Sequence, residues 1–485
     1  MADAEAFFLS GRTVACMTQH TPPFCQTRAG AAASRSDQDA ALMYAEARAP
    51  RYTSYPTALQ FGPEVDSETH RDWLGGLRGG PPVSLYVHVP FCQRMCWYCG
   101  CNTRVARSVD PVIDYYRHLE REVALVRESI SGAVAVSALH LGGGSPDSLP
   151  VEQLEQLFST LRGAFSILPE AEIAAELDPS FVTDDWIRAA ARNGLNRASL
   201  GVQDFAPAVQ AAVNRPQSFE RVAQVVAQLR AAGVASVNLD LMYGLPLQTG
   251  ANVADTVDKA VSLTPDRVAV FGYAHVPWMK RNQRLIRDED LPGAAERHQQ
   301  AEIAAERLTE AGYVRIGLDH YARPEDELAR SSVEGRLHRN FQGYTPDAAA
   351  SLIGLGASSI SRLPQGYAQN IGSIVDWRRA VEAGRLPTAR GLEFLGDDRL
   401  RADIIEALMC QGEVDLEAVS IEHGADLQCL DRAWSPLEGF ETQGLLTIDG
   451  AVIRLTSKGR SLARTVCTAF DRYFTQDAGR HARAV

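Results

Sequence analysis

Four of the nine cysteines lie within ten residues, as Cys92-Gln-Arg-Met-Cys96-Trp-Tyr-Cys99-Gly-Cys101. Three thiolates at C-x3-C-x2-C spacing on one short loop can wrap a cubane iron–sulfur cluster, holding three irons and leaving the fourth open. An open iron can take a substrate, much as a catalytic zinc keeps one position free. The competing arrangement is a structural zinc bound by all four cysteines. Zinc knuckles mostly use two separated pairs, and this single loop makes a poor tetrahedron, so Cys92, Cys96 and Cys99 read as cluster ligands. Cys101 is expected beside the cluster as a non-ligand, because a fourth thiolate would close the reactive iron. Such clustering in a chain this long argues against a disulfide framework. Cys410, Cys429 and Cys467 are expected to be buried apolar fillers.

Other residues able to do chemistry follow at intervals. In His140-Leu-Gly-Gly-Gly-Ser-Pro146, three consecutive glycines would let the backbone approach a ligand and offer carbonyls to an ammonium group. Glu176 ends the run AAEL, Gln203 falls in GVQDF, Asp240 in NLDLMYGLP, and Arg215 lies in the stretch after Gln203. Any one of these could be an ordinary hydrogen-bonded residue at a strand end. Several at successive strand ends point to a ligand.

The elements that must position them alternate. Apolar, β-branched runs at 83–89, 136–141, 172–177, 236–242 and 267–273, with a weaker one at 196–202, read as strands. Helical patterns lie between and after them, at 110–130, near 150–165, and at 183–193, 218–232, 251–263 and 293–311. In the first, Asp110 is a candidate N-cap and Pro111 an N1 residue, and Val112, Tyr116, Leu119, Val123 and Val126 recur at helical spacing. Six β-then-α units with right-handed crossovers make a parallel sheet that curls into a full or partial barrel, with its site at the strand C-terminal ends. The expected fold class is therefore α/β.

The expected division has six parts: a disordered leader over 1–49, an N-terminal extension or lid over 50–82, the barrel core over 83–320, a capping and connecting segment over 321–384, a mainly helical, winged-helix-like unit over 385–475, and a tail over 476–485. A short helix is expected at 37–47, and further helices at 374–384 and 397–411. A hairpin turning at Asp449-Gly450 is followed by one last helix.

Composition limits the partners. With 48 basic and 60 acidic residues the net charge is −12, and no basic run offsets it, which excludes a nucleic-acid binder held by phosphate neutralisation. The Asp and Glu content of the winged-helix-like part argues the same way. No run of 18 apolar residues offers a membrane span. The opening MADAEAFFL is acidic where a signal peptide needs basic charge, so a cytoplasmic protein is expected.

The cysteine loop resembles that of the radical S-adenosylmethionine (SAM) enzymes. Longer strings narrow this: PRYTSYPTA (50–58), SLYVHVPFC (84–92), CGCN (99–102), GVQDF (201–205), NLDLMYGLP (238–246), YAHVP (273–277) and LHRNFQGYT (337–345). From Pro50 to about Phe474 the chain resembles the oxygen-independent coproporphyrinogen III oxidase family. That resemblance implies a partial (β/α)6-type barrel with an N-terminal extension and a helical C-terminal domain, one [4Fe–4S] cluster and two SAM molecules. Cys92, Cys96 and Cys99 would ligate the cluster. Tyr86, Gly143 and Glu176 would contact the iron-chelating SAM. Tyr98, Gly144, Ser145, Gln203, Arg215, Asp240, Ala274 and Ile360 would frame the second SAM or the space between the two. Tyr86 and His88 are the catalytic candidates, His88 as a donor of a proton or hydrogen bond; its other reading is a satisfied core histidine.

The implied reaction abstracts hydrogen from a propionate β-carbon by a 5′-deoxyadenosyl radical, then releases CO2 and an electron to leave a vinyl group, once on ring A and once on ring B. Implied partners are coproporphyrinogen III and a low-potential one-electron donor such as a flavodoxin or ferredoxin, with the chain a monomer. Arg51, Tyr52, Asn340 and Gln342 are substrate-contact candidates, and Arg94, Arg104 and Arg107 are further arginines that could hold propionates. The segment bearing Arg51, Tyr52 and Tyr55 is the candidate lid. The alternative is a haem-chaperone-like relative that binds and transfers haem. Those relatives generally lack the PRYTSYP extension, a cysteine at the position of Cys101 and the NFQGYT string, all present here. One departure from the family pattern stands at LMCQGEVD (408–415), where a bulkier, more aromatic continuation is common.

Overall fold

The computed structural model describes residues 49–475. The leader, its short helix at 37–47 and the tail fall outside the described residues, Ala49 excepted. Six strands form the parallel core: β1 (Val83–Val89), β2 (Ala135–Gly143), β3 (Ser166–Leu177), β4 (Arg197–Gln203), β5 (Ser236–Tyr243) and β6 (Arg267–Gly272). They lie side by side in chain order, each parallel to the next. Helices α1 (Asp110–Ser129), α2 (Val151–Ala164), α3 (Asp184–Arg192), α4 (Phe219–Ala231) and α5 (Gly250–Ser262) connect them, and α6 (Ala294–Glu310) follows β6. Both faces of β1 are covered, which is why it reads as an unbroken apolar run. β3 begins earlier than expected because its first half carries exposed Ser166, Pro169 and Glu170 around half-buried Ile167 and Leu168, leaving only the more buried second half visible as an apolar run.

The helices follow their apolar spacing. The five residues named above on α1 are all buried against the sheet. Asp110 is already the first helical residue, one position later than an N-cap, and Val109 precedes it without a side-chain bond. Thr183, Ser218 and Thr249 cap α3, α4 and α5 with their hydroxyl oxygens.

Past residue 310 the helix–strand alternation ends, yet the sheet continues. Strands β7 (Val314–Ile316) and β8 (His320–Ala322) extend its β6 edge antiparallel. On the other edge β9 (Leu352–Leu355) lies parallel to β1, and β10 (Ile360–Leu363), β11 (Gly366–Asn370) and β12 (Thr388–Glu393) continue antiparallel. The result is an open twelve-stranded sheet. Strands of three to six residues are too short to show a period, so the stretch 352–370 of the segment read as capping contributes three sheet strands, and residues 388–393, read as part of the C-terminal unit, form the outermost strand.

The C-terminal part packs α7 (Asp398–Cys410) and shorter helices on a three-stranded antiparallel sheet of residues 413–415, 446–449 and 452–455. Two short helices, Ser457–Ser461 and Ala463–Cys467, stand where one was expected. Its core takes in Tyr52 and Tyr55 from the far end of the chain. The Tyr52 hydroxyl donates to Asp471 Oδ2 at 3.0 Å, and the Tyr55 hydroxyl accepts the Arg472 N–H at 3.1 Å. The segment expected as a lid is therefore anchored, and Tyr52, expected at substrate, spends its hydroxyl on Asp471. Among the described residues no helix is long and apolar enough to cross a membrane.

Candidate cluster and cofactor site

The cysteine loop leaves β1 and is tied at its base, where the Arg104 N–H donates to the Pro90 carbonyl and the Ala106 N–H to the Cys92 carbonyl, both at 3.0 Å. Its far side is held from distant parts of the chain. Asn214 Nδ2 donates to the Met95 carbonyl at 2.8 Å. Asn282 Nδ2 lies 3.3, 3.0 and 2.9 Å from the carbonyls of Cys96, Trp97 and Cys99, and Gln283 Nε2 is 2.8 Å from that of Tyr98. Lone carboxamides facing carbonyls carry no sequence signature, and neither Asn282 nor Gln283 stands out in the chain.

A cavity of about 200 Å³ lies beneath the loop. Cys92, Cys96, Cys99 and Cys101 line it on the loop side, with Tyr98 and Arg215; Gly143, Gly144, Ser145, Glu176, Gln203 and Asp240 line it from the sheet. These sheet-side groups come from the C-terminal ends of β2, β3 and β4, the turn after β2 and the second half of β5, the end at which a parallel barrel gathers its site. Of these four thiols, the C-x3-C-x2-C trio of Cys92, Cys96 and Cys99 fits a three-cysteine cluster, with Cys101 beside it. Hydrogen bonding from the Cys101 thiol lowers Cys99 to about 7, and the Cys101 N–H lies 3.4 Å from its sulfur. Burial pushes Cys92 up to about 12, with Thr103 Oγ1 at 3.2 Å acting the other way.

Arg215 belongs to the cysteine side. Its Nη1 donates to Cys96 Sγ at 3.2 Å and to Asp178 Oδ2 at 3.1 Å, and its Nε to the Gly201 carbonyl at 3.1 Å. Gln203 sits where the β4–β5 register slips, with φ of +71°. A left-handed non-glycine costs about 1–3 kcal/mol and persists only where the surroundings impose it. Here it ends β4 at the cavity.

The glycine run has a reason within the chain itself. A Cβ on Gly144 would lie 2.5 Å from the Phe91 carbonyl oxygen, and one on Gly143, at φ +109°, 2.5 Å from His88 Nδ1. Close approach of this turn to β1 and the cysteine loop thus demands glycine before any ligand does.

Glu176 accepts from His140 Nε2 at 3.0 Å and from the Gly143 N–H at 3.3 Å. Burial acts to raise its pKa, but His140 and that N–H outweigh it and hold the carboxyl below its ordinary range. Asp240 differs: burial, then the Glu176 charge, push it up to about 6. One wall therefore carries a firmly ionised carboxylate beside one that protonates readily.

Tyr86 and His88 lie behind this wall. The Tyr86 hydroxyl donates to His88 Nδ1 at 3.1 Å, and His88 Nε2–H donates to the Asn102 carbonyl at 2.9 Å. Burial lowers the His88 pKa. With both nitrogens committed, His88 fits the satisfied core histidine and positions the turn. Tyr86 stacks on His140, ring centroids 5.8 Å apart, and so supports Glu176 from behind. Ala274 lines a different cavity, and Ile360 opens β10. Asn340 and Gln342, in a hairpin of residues 338–345, close the barrel lumen. Arg94 lines the cluster cavity but donates to Ser180 and to the Pro216 carbonyl. Arg104 and Arg107 are exposed.

A parallel barrel whose strand ends face a three-cysteine loop defines the radical SAM class, and the Radical SAM superfamily model matches residues 86–260. The HemN C-terminal domain model matches residues 395–462. The chain is 48% identical over 447 residues to an oxygen-independent coproporphyrinogen III oxidase of Bradyrhizobium diazoefficiens, covering 92% of this chain and 99% of that one. It is 43% identical to a protein of the same name from Paracoccus denitrificans, covering 91% and 97% of the two. A solved structure of coproporphyrinogen III oxidase (HemN) from Escherichia coli, described as a radical SAM enzyme, superposes with a TM-score of 0.84 at 38% identity, covering 87% of this chain and 98% of that one. The chain belongs to the oxygen-independent coproporphyrinogen III oxidase family. That family uses a [4Fe–4S] cluster and SAM.

Proposed function

We propose that this chain carries out the oxygen-independent oxidative decarboxylation of coproporphyrinogen III to protoporphyrinogen IX, converting the propionates of rings A and B to vinyl groups. The observation that carries the reading is the single cavity onto which three cysteine thiols and the ionised Glu176 face. Each conversion removes one hydrogen atom, one CO2 and one electron. When bound, the cluster would supply the electron that cleaves SAM and SAM the radical that takes the hydrogen, while the electron released from the substrate passes to a separate one-electron acceptor. Cys92, Cys96 and Cys99 hold the cluster. Glu176 accepts from the SAM ammonium, oriented by His140 and the Gly143 N–H. Gln203, Asp240, Ser145 and Tyr98 frame the remaining space, which the reading fills with a second SAM. Arg215 keeps a positive charge against Cys96. The hairpin bearing Asn340 and Gln342 closes the lumen and keeps water from the reacting centre.

The reading also includes a cytoplasmic location, a monomeric enzyme, and a flavodoxin or ferredoxin as donor. The N-terminal extension serves as an anchor for the C-terminal unit. The haem-chaperone alternative is not favoured by relatives named as oxidases. Anaerobic incubation of the reconstituted chain with SAM, reductant and coproporphyrinogen III should yield CO2 and protoporphyrinogen IX. Haem binding without CO2 release would overturn the reading.

A further inference from the structure

The cluster cavity adjoins the barrel lumen, a space of about 260 Å³ with which it shares the lining residues Glu176, Ser199 and Asp240. The lumen in turn shares Phe271, Phe341 and Gln342 with a chamber of about 280 Å³ on the open β6 side of the barrel. Three adjoining cavities thus run in series from the cysteine loop to the chamber. Five guanidinium groups line the chamber: Arg51, Arg297, Arg315, Arg339 and Arg464. They come from the N-terminal segment, α6, β7, the 338–345 hairpin and the C-terminal helices. Facing them on the described wall are two carboxylates, Glu302 and Asp319, and Asp319 is already engaged by His320 Nδ1 at 2.8 Å.

Among the described residues, several of these guanidinium N–H groups lack acceptors. The Arg339 guanidinium lies over the Tyr344 ring, 4.4 Å from its centroid, with Nε and Nη1 buried and without a hydrogen-bond partner. Arg315 Nε is likewise buried and unpartnered, while its Nη2 reaches the Leu318 carbonyl at 3.5 Å. Buried donors of a cation without acceptors are costly, and so is the convergence of like charges. Burial, then the charge of Arg51, push Arg464 down to about 10. An anion of planar, forked geometry would satisfy these groups, and a carboxylate has that shape.

We propose that the chamber holds carboxylate groups of the substrate, taking propionates that are not reacting while the reacting one extends through the lumen toward Glu176 and the cysteine loop. This assignment rests on the substrate reading above. A tetracarboxylate thereby meets a concentrated positive site on a chain of net charge −12.

The test uses the full, anaerobically reconstituted chain and two stable probes, coproporphyrin III and its tetramethyl ester, titrated by porphyrin fluorescence. The wild-type chain should prefer the free acid by at least about tenfold, and Arg51→Ala and Arg315→Gln should each weaken acid binding about tenfold while leaving ester binding unchanged. Arg51 is exposed, so its variant folds whatever the fate of the other. Equal binding of acid and ester by the wild-type chain, or acid binding undiminished in both variants, overturns the chamber. Arginine-dependent acid binding by a chain that releases no CO2 would uphold the chamber and refute the decarboxylation.

Discussion

Asn282 offers a direct test of how the cysteine loop is held. Its two N–H groups serve three loop carbonyls, those of Cys96, Trp97 and Cys99, at 2.9 to 3.3 Å. Each hydrogen bond contributes a net 0.5–1.5 kcal/mol, so Asn282→Ala should lose about 1–3 kcal/mol, concentrated on one short stretch. The open population of that stretch should then rise about 5- to 150-fold. Asn282→Asp should do worse, since it presents a second acceptor to carbonyls that need a donor. Amide hydrogen exchange on peptides spanning 96–99 reads the opening, and iron retained after reconstitution and a chelator challenge reads the consequence. Exchange in α1, which does not touch Asn282, should stay as in the wild-type chain. If the alanine variant protects its loop amides and retains iron like the wild type, Asn282 does not hold the loop.

Three further outcomes follow from the same geometry. Glu176→Gln should weaken SAM binding about 10- to 100-fold, by isothermal titration, with iron content unchanged; an unaltered affinity would remove Glu176 from the cofactor site. Burial pushes Glu122 up to about 7 from 4.5, even with the Gly356 N–H, Asn370 and Trp377 as donors to its carboxylate. A raised folded pKa contributes stability that is present below 4.5 and lost as pH rises through 7, so urea midpoints should fall across that window and Glu122→Gln should flatten the fall. Tyr52→Phe should cost about 1–2 kcal/mol through its lost bond to Asp471, seen as earlier unfolding of the C-terminal unit with unchanged cluster absorbance.

The barrel was legible because each of its strands is covered by helices or neighbouring sheet, so burial writes a continuous apolar run, and because α1 and its successors keep their core residues at helical spacing. The cysteine trio and the strand-end groups Glu176, Gln203 and Asp240 were legible for the same reason: strand order puts them at one end. β7 to β12 were not, since most are too brief for a period. Neither were Arg297, Arg315, Arg339 and Arg464, which the chain scatters and only tertiary packing gathers. Of the arginines proposed for carboxylates, Arg51 reaches the chamber, whereas Arg94 is committed to Ser180 and Pro216. Ala274 and Ile360 were carried by resemblance alone; Ala274 lines the arginine chamber, and its carbonyl shares Gln283 Nε2 with that of Tyr98 on the cysteine loop.

Tyr52 and Asp471 are 419 positions apart, and Tyr55 and Arg472 are 417 apart. During synthesis both rings leave the ribosome long before Asp471 and Arg472 and wait, unseated, until those residues follow. The last module therefore closes its core with side chains made hundreds of residues earlier, and a chain halted between the two sets would leave both tyrosines without their seats.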